Sequence, residues 1–168
     1  SEPTKGNFAV AFNPTLLGSA ANNSIGVDVV VSSDGTRAYI ADFEAGLQII
    51  DVTDPSNPVT MSAFDTNGLA YNVAVSSDGN TVYIADEEAG LQVVDVADSS
   101  NPLLLSTFDT AGTSIGVTLS SDDRTVFIAD VNSLEIVDIS DAQSPFLVGS
   151  VSTSGTAYGV GLSPDGNT

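Results

Sequence analysis

The fold class that the sequence predicts is all-β: a β-propeller, or a section of one, built from four-stranded antiparallel blades with a repeat of about 44 residues. Three observations predict it. The chain repeats itself with one period, each repeat holds four short apolar runs separated by turn residues, and no stretch has both the length and the apolar period of a stable helix. Periods of roughly 20 to 50 residues are typical of propellers and solenoids.

Three landmarks set the period. The tripeptide Ile-Ala-Asp ends at Asp42, Asp86 and Asp130, so the step is 44 residues each time. Two other landmarks keep nearly the same step, namely the turn aspartates Asp34, Asp78, Asp122 and Asp165 and the prolines Pro14, Pro58, Pro102 and Pro145. Their last step is 43 residues, because VNS at 131–133 replaces the EEAG of the preceding repeat.

Each repeat predicts four strands, which we call a, b, c and d. In the second repeat they are YNVAVSS, TVYIAD, LQVVDV and LLLSTF, rich in the residue types that strands favour. Asp-Gly pairs at 34–35, 78–79 and 165–166 predict tight a–b hairpins, because glycine accepts a positive φ at little cost. Asp123 replaces that glycine in the third repeat and must adopt the same conformation. Asn-Pro at 57–58 and 101–102 predicts the start of strand d.

Strand c indicates how the sheets pack. Leu91 and Val93 are expected on one face and Val94 and Val96 on the other, so both faces need apolar cover. Stacking twisted blades around an axis covers both faces, and each fully buried Val or Leu then contributes about 1.5–3 kcal/mol. A two-layer sandwich would demand a cleaner alternation of apolar and polar residues.

The repeat phase predicts the domain organisation. The propeller repeats occupy residues 13–168 and follow an N-terminal segment, 1–12, that is a candidate closing or exchanged strand. Complete blades are expected at about residues 24–66, 68–110 and 113–153, and a partial blade is expected from 157–168 together with 6–20. That partial blade lacks a strand b, so we expect either further blades in a longer chain or strand addition by a neighbouring molecule.

Charge and composition exclude several functions. The chain has 22 acidic and 3 basic residues, and a formal charge of −19 repels nucleic acid and anionic membrane surfaces. Neither Cys nor His is present, which removes disulfides, thiolate nucleophiles and imidazole metal ligands. No apolar run approaches the roughly 18 residues that a membrane span needs. The acidic surface suits a salty or calcium-containing exterior. A chain that opens at Ser1 without a methionine is expected to be a processed precursor or an excised fragment, most commonly after removal of a secretory signal.

The segments GLQIIDVTDPSNPV (46–59) and GLQVVDVADSSNPL (90–103), each preceded by an Ile-Ala-Asp tripeptide, resemble the LVIVD-repeat family of bacterial and archaeal β-propellers. SLEIVDISDAQSPF (133–146) is a weaker copy without the preceding Ala-Gly. The resemblance covers about residues 13–168 and implies a propeller, usually on secreted or surface proteins. It implies no particular activity.

Two sets of acids are candidate cation sites. The b–c and d–a loops share one end of the blades, where carboxylate oxygens could bind calcium. The candidate ligands are Asp42, Glu44, Asp86, Glu88 and Asp130. A simpler interpretation is a solvated rim in which the three aspartates accept hydrogen bonds from backbone amides of their own loops. At the other end, Asp51 with Asp54, Asp95 with Asp98, and Asp138 with Asp141 repeat at i, i+3 and are more simply turn caps.

Two further features break the repeat. Phe43 is replaced by Glu87 and Val131 in the later repeats, and it is a candidate contact residue or a local packing residue. Asn22-Asn23-Ser24 matches the glycosylation sequon.

The expected function is non-catalytic: an extracellular or cell-surface scaffold for contacts with another protein, a glycan or its own copies, without nucleic acid or membrane insertion. Calcium is the only cofactor that the sequence suggests. One alternative is a filament or surface-layer subunit completed by strand exchange into a head-to-tail polymer. Another is a carboxylate- or calcium-dependent hydrolase, since paired carboxylates are the one route to acid–base catalysis that this composition leaves open.

Overall fold

A computed structural model describes residues 16–20 and 24–163 of the chain. It contains three four-stranded antiparallel sheets, which confirms the predicted fold class. The first blade comprises β1 (Asp28–Val31), β2 (Arg37–Ala41), β3 (Leu47–Asp51) and β4 (Val59–Phe64). The second comprises β5 (Asn72–Val75), β6 (Thr81–Ala85), β7 (Leu91–Asp95) and β8 (Leu103–Phe108). The third comprises β9 (Ser114–Leu119), β10 (Thr125–Asp130), β11 (Ser133–Asp138) and β12 (Phe146–Ser152).

The turns follow the residue types that predicted them. Gly35 and Gly79 have φ of 71° and 73°, and Asp123 adopts the same left-handed conformation at φ 55°. Each strand d begins directly after its proline, and the pairing of strands c and d shifts register at the same place in all three blades. The shared irregularity shows that the blades are copies in detail as well as in outline.

The blades pack face to face, as the two-sided apolar pattern of strand c predicted. Two hydrophobic clusters form, one between the first and second blades and one between the second and third. The first cluster includes Tyr39, Leu47 and Ile49 against Val82, Ile84 and Val94. The second includes Tyr83, Leu91 and Val93 against Val126, Ile128 and Val137. The second blade is therefore covered on both of its faces.

Polar links recur at both junctions between blades. Beside the innermost strands, Asp28 Oδ2 accepts from Val73 N at 3.0 Å, and Asn72 Oδ1 accepts from Val117 N at 2.8 Å. Beside the outermost strands, a serine hydroxyl of strand d donates to a carbonyl of the next blade's c–d loop. These bonds are Ser62 Oγ to Ser99 O and Ser106 Oγ to Ala142 O, each at 2.6 Å. The links bracket the apolar cores and fix the register of one blade on the next.

On the side away from the second blade, strand a of the first blade is exposed among the described residues, although Ile50 on the same side is 2% exposed; we call this the open face. Val29 and Val31 are 58% and 50% exposed, whereas Val73, which occupies the position of Val29 in the second blade, is 5% exposed. The same apolar side chain is therefore buried wherever a preceding blade covers it.

The predicted partial blade stays a prediction. Residues 16–20 and 157–163 are described, and neither segment forms a strand. The second segment nevertheless lies against the third blade: Ala157 N donates to Val131 O at 3.2 Å, and a Cβ built on Gly116 would contact Gly159 Cα. A strand needs a hydrogen-bonded neighbour, and the other segments predicted for this blade, 6–15 and 164–168, lie outside the described residues.

Candidate functional site

The candidate site is the rim formed by the b–c loops and the d–a loops at one end of the blades. Each complete b–c loop closes through a backbone bond between its aspartate and its glycine, Asp42 N to Gly46 O at 2.8 Å and Asp86 N to Gly90 O at 2.9 Å. Gly46 and Gly90 have φ of 72° and 74°, and a Cβ at either would overlap the backbone of strand d. The glycine of the Ala-Gly pair in the repeat is thus explained by loop geometry.

The rim loops also tie neighbouring blades together. Phe43 exchanges two backbone hydrogen bonds with Ala70, at 3.2 and 3.1 Å, and Glu87 exchanges two with Ser114, at 3.1 and 3.0 Å. Both Phe43 and Glu87 have positive φ, 45° and 51°. The Phe43 ring also packs edge-to-face on Tyr71, with ring centroids 5.5 Å apart. Phe43 therefore has the local packing role that was one of its two interpretations.

The three Ile-Ala-Asp aspartates are buried acceptors. Asp86 accepts from Thr66 Oγ1 at 2.6 Å and from Gly68 N at 2.8 Å. Asp130 accepts from Gly112 N at 2.8 Å and from Thr113 N at 3.1 Å, and Asp42 accepts from the Gln48 side-chain amide. The amides that bind Asp86 and Asp130 belong to the d–a loops leading into their blades, not to the b–c loops that the sequence interpretation had named.

Burial dominates the electrostatics of Asp86. Desolvation raises its pKa above the ordinary aspartate value, although the hydrogen bonds from Thr66 and Gly68 oppose that rise. Glu44 and Glu88, by contrast, are exposed. The five predicted calcium ligands therefore fall into buried aspartates at separate blades and exposed glutamates between them. Within residues 16–20 and 24–163, no group of three or more acidic side chains is arranged to hold a metal ion, and the calcium site proposed from the sequence stays a prediction.

The paired aspartates at the other end of the blades cap turns, as their simpler interpretation held. Asp54 Oδ1 accepts from Ser56 N at 2.9 Å and from Ser56 Oγ at 2.6 Å. Asp51 Oδ1 accepts from Thr53 N at 2.8 Å, and the later repeats keep the same bonds at Asp95, Asp98, Asp138 and Asp141. The hydrogen bonds lower the pKa of both Asp51 and Asp54.

Sequence reasoning missed one acidic residue at the rim. Glu135 occupies the strand-c position of Gln48 and Gln92, and it is only 2% exposed. Its Oε1 accepts from Ala111 N at 3.1 Å, while its Oε2 is buried without a hydrogen-bond partner among the described residues. Burial raises its pKa, and the charges of Asp130 and Asp109 add to that rise. The signal was present in the sequence, because this position of the repeat holds Gln48, Gln92 and Glu135.

Of the other predicted features, residues 22 and 23 of the sequon lie outside the described part of the chain. None of the described segments is a helix long and apolar enough to cross a membrane.

Comparisons with known proteins bear on the fold. A family model described as LVIVD repeat matches residues 27–66, 67–110 and 125–153. Among curated protein sequences, none matches the chain. Solved structures similar to it include hydrazine synthase from Kuenenia stuttgartiensis, with a TM-score of 0.72 and 19% identity over 91% of this chain and 44% of that one.

Two further solved structures differ in what their names describe. The periplasmic gluconolactonase of Pseudomonas aeruginosa has a TM-score of 0.68 and 16% identity over 77% of this chain and 40% of that one. The WD40 repeats of RRP9 have a TM-score of 0.65 and 15% identity over 82% of this chain and 42% of that one. The chain thus spans less than half the length of each match, and the likeness at these identities shows the fold alone.

Proposed function

The chain belongs to the LVIVD repeat family, and from that premise we propose that it is a non-catalytic extracellular scaffold that binds protein through its blade surfaces. Propellers of the WD40 type among its structural neighbours fit a scaffold role. The extracellular setting is supported by the strongly acidic surface, whose self-repulsion salt reduces.

The observation that carries the proposal is the open face of the first blade. It combines the exposed Val29 and Val31 with a pocket whose volume is about 300 Å³. That pocket is lined by Ala20, Gly26, Val27, Asp28, Val29 and Ile40. Exposed apolar patches of this kind mark contact sites.

The partner that fits this face best is another blade of the same type, supplied by a second copy. By the 44-residue repeat, the open face of the first blade is equivalent to the face that the second blade turns toward the first. On the third blade, the half-buried Phe127 and Ile136 are equivalent to Tyr39 and Ile49 of the first junction. A head-to-tail contact would therefore repeat an interface that the chain already forms twice.

Sedimentation velocity over a range of protein concentrations tests this proposal. Wild-type protein should form larger species as concentration rises, and Val29→Asp should remain a single small species. Leu103→Asp is the matched control, because Leu103 is similarly exposed at 55% but lies on an outer strand. Equal behaviour of all three proteins would contradict the proposal.

Strand exchange into a filament is a second candidate. It is supported by residues 157–163, which lie against the third blade without forming a strand, and a strand b from a neighbour would pair with them. Negative-stain images would distinguish it, since strand exchange should give fibres that lengthen with concentration.

A hydrolase is a third candidate, favoured by the gluconolactonase among the structural neighbours. Its test is turnover of δ-gluconolactone compared with the spontaneous rate. The scaffold proposal expects the protein to leave the rate of lactone hydrolysis unchanged. A faster rate that is lost when one carboxylate is replaced by its amide would overturn the scaffold proposal.

A further inference from the structure

Glu135 occupies a position of the repeat at which Gln92, its equivalent in the second blade, has a hydrogen-bond partner for each polar atom of its side chain. In the second blade, Gln92 Nε2 donates to Ala89 O at 3.0 Å and Gln92 Oε1 accepts from Thr107 Oγ1 at 3.0 Å. Both polar ends of that amide therefore have partners within their own blade. A glutamine at this position needs nothing from outside the protein.

Glu135 makes neither of those contacts in the third blade. The b–c loop of that blade is one residue shorter, so the segment that supplies Ala89 O in the second blade has no counterpart of the same length. Ser150 lies opposite Glu135 in the strand pairing, where Thr107 lies opposite Gln92; serine keeps the hydroxyl donor, but Glu135 Oε2 receives no hydrogen bond from it. Glu135 instead accepts from Ala111 N through Oε1, and its second oxygen is buried without a partner among the described residues.

Two other acids act on Glu135, and the backbone N–H groups of residues 111–113 donate to the carboxylates of Glu135 and Asp130. The charges of Asp130 and Asp109 both act on Glu135, and Asp130 is itself buried. Arg37 begins β2 and Arg124 precedes β10, so both lie at the opposite end of their blades from Asp130, which ends its strand. An unpaired buried carboxylate oxygen is costly, and a second carboxylate nearby raises that cost.

We propose that Glu135 and Asp130 bind one calcium-class cation at the rim of the junction between the second and third blades. The two carboxylates supply the charge, and calcium would take its remaining oxygen ligands from water and from backbone carbonyls of the short b–c loop. Calcium prefers oxygen ligands of this mixed kind and tolerates irregular geometry. A protein of charge −19 also concentrates cations at its surface.

This site differs from the ring of rim acids that the sequence suggested. It is a single site at one junction, it requires Glu135, and it needs neither Glu44 nor Glu88. It is also independent of the proposed scaffold function, because a monomer would bind the cation as well as an assembly would.

The test compares the wild-type chain with Glu135→Gln and with Glu88→Gln. Glu135→Gln places at this position the residue that the other two blades carry, and it should fold. Glu88→Gln removes the same charge from the exposed rim and serves as the control. Equilibrium dialysis against calcium measures stoichiometry, and melting temperature in calcium or in chelator at matched ionic strength measures the coupling to folding.

The expected result is one calcium bound by wild type and by Glu88→Gln, with a rise in melting temperature for both. In Glu135→Gln the affinity should fall by at least about tenfold and the rise should be correspondingly smaller. Equal binding by all three proteins would mean diffuse screening and would overturn the proposal. A wild type that binds no calcium would also overturn it.

Discussion

The second blade and the first carry nearly the same side chains in different surroundings. Ile84 is fully buried in the second blade, while its equivalent Ile40 in the first is half-buried and lines the pocket of the open face. Val73 and Val29 differ in the same direction. The difference teaches that burial of these strand-a and strand-b positions depends on the neighbouring blade, whereas Ile50 is buried in the first blade as Val94 is in the second. Stability should therefore be lost unevenly when such equivalent residues are changed.

A buried charge gives the largest expected effect. Val73→Asp should lower the free energy of unfolding by more than about 4 kcal/mol, because the new carboxylate would be unpaired between two blades. Val29→Asp, on the open face, should change it by no more than about 0.5 kcal/mol. Urea denaturation at low protein concentration measures both, and similar losses would show that the face of the first blade is covered.

Truncation of an equivalent pair should give a smaller difference in the same direction. Ile84→Ala should cost about 2–5 kcal/mol, through lost burial and the cavity left behind. Ile40→Ala should cost less than about 1.5 kcal/mol, since part of that side chain already meets solvent. Chemical denaturation of each variant checks the pair, and a larger cost at Ile40 would contradict the comparison.

Glycines extend the comparison to the loops. Gly90→Ala should cost about 2–4 kcal/mol, because a Cβ there has an unfavourable positive φ and overlaps the backbone of Phe108. Gly35→Ala should cost about 1–2 kcal/mol, since its Cβ would meet no other atom and only φ is unfavourable. Asp123 already occupies the turn position of Gly35 with a side chain. Thermal melts of the two variants would refute the loop argument if their order were reversed.

The smallest expected effect is on titration. Hydrogen bonds from Ser32 and Thr36 lower the pKa of the exposed Asp34 from 3.8 to about 2, whereas burial raises that of Asp86. Asp34 should therefore stabilise the fold above the unfolded pKa and lose this contribution as pH falls through about 2. The pKa shift of Asp86 has the opposite sign. Its contribution to folding stability is therefore present below the unfolded pKa and is lost as pH rises through the raised folded pKa. Side-chain carboxyl chemical shifts followed by NMR would contradict this if Asp34 titrated above Asp86.

Much of the fold could be predicted from sequence, because its signals are local and repeated. Proline placed the start of each strand d, and the Asp-Gly pairs placed the a–b turns. The spacing of Asp51 and Asp54 was enough to identify turn caps, since each bonds a residue two positions along.

The rim could be predicted only in part, because its contacts join loops of different blades. The partners of Asp86 lie about 20 residues earlier, in a loop whose approach the repeat does not specify. Glu135 was missed for a related reason. Its contacts depend on a shortened b–c loop and on how the side chains of the third blade pack, so only the assembled blade shows that one oxygen lacks a hydrogen-bond partner among the described residues.

Native-state hydrogen exchange, resolved by strand, tests most directly the claim that the blades are stabilised by their neighbours. Amides of β6 and β7, in the blade covered on both faces, should exchange more slowly than those of β2 and β3 in the first blade, and the difference should persist under conditions where the chain is monomeric. Equal protection in the two blades, or faster exchange in the second, would contradict the account.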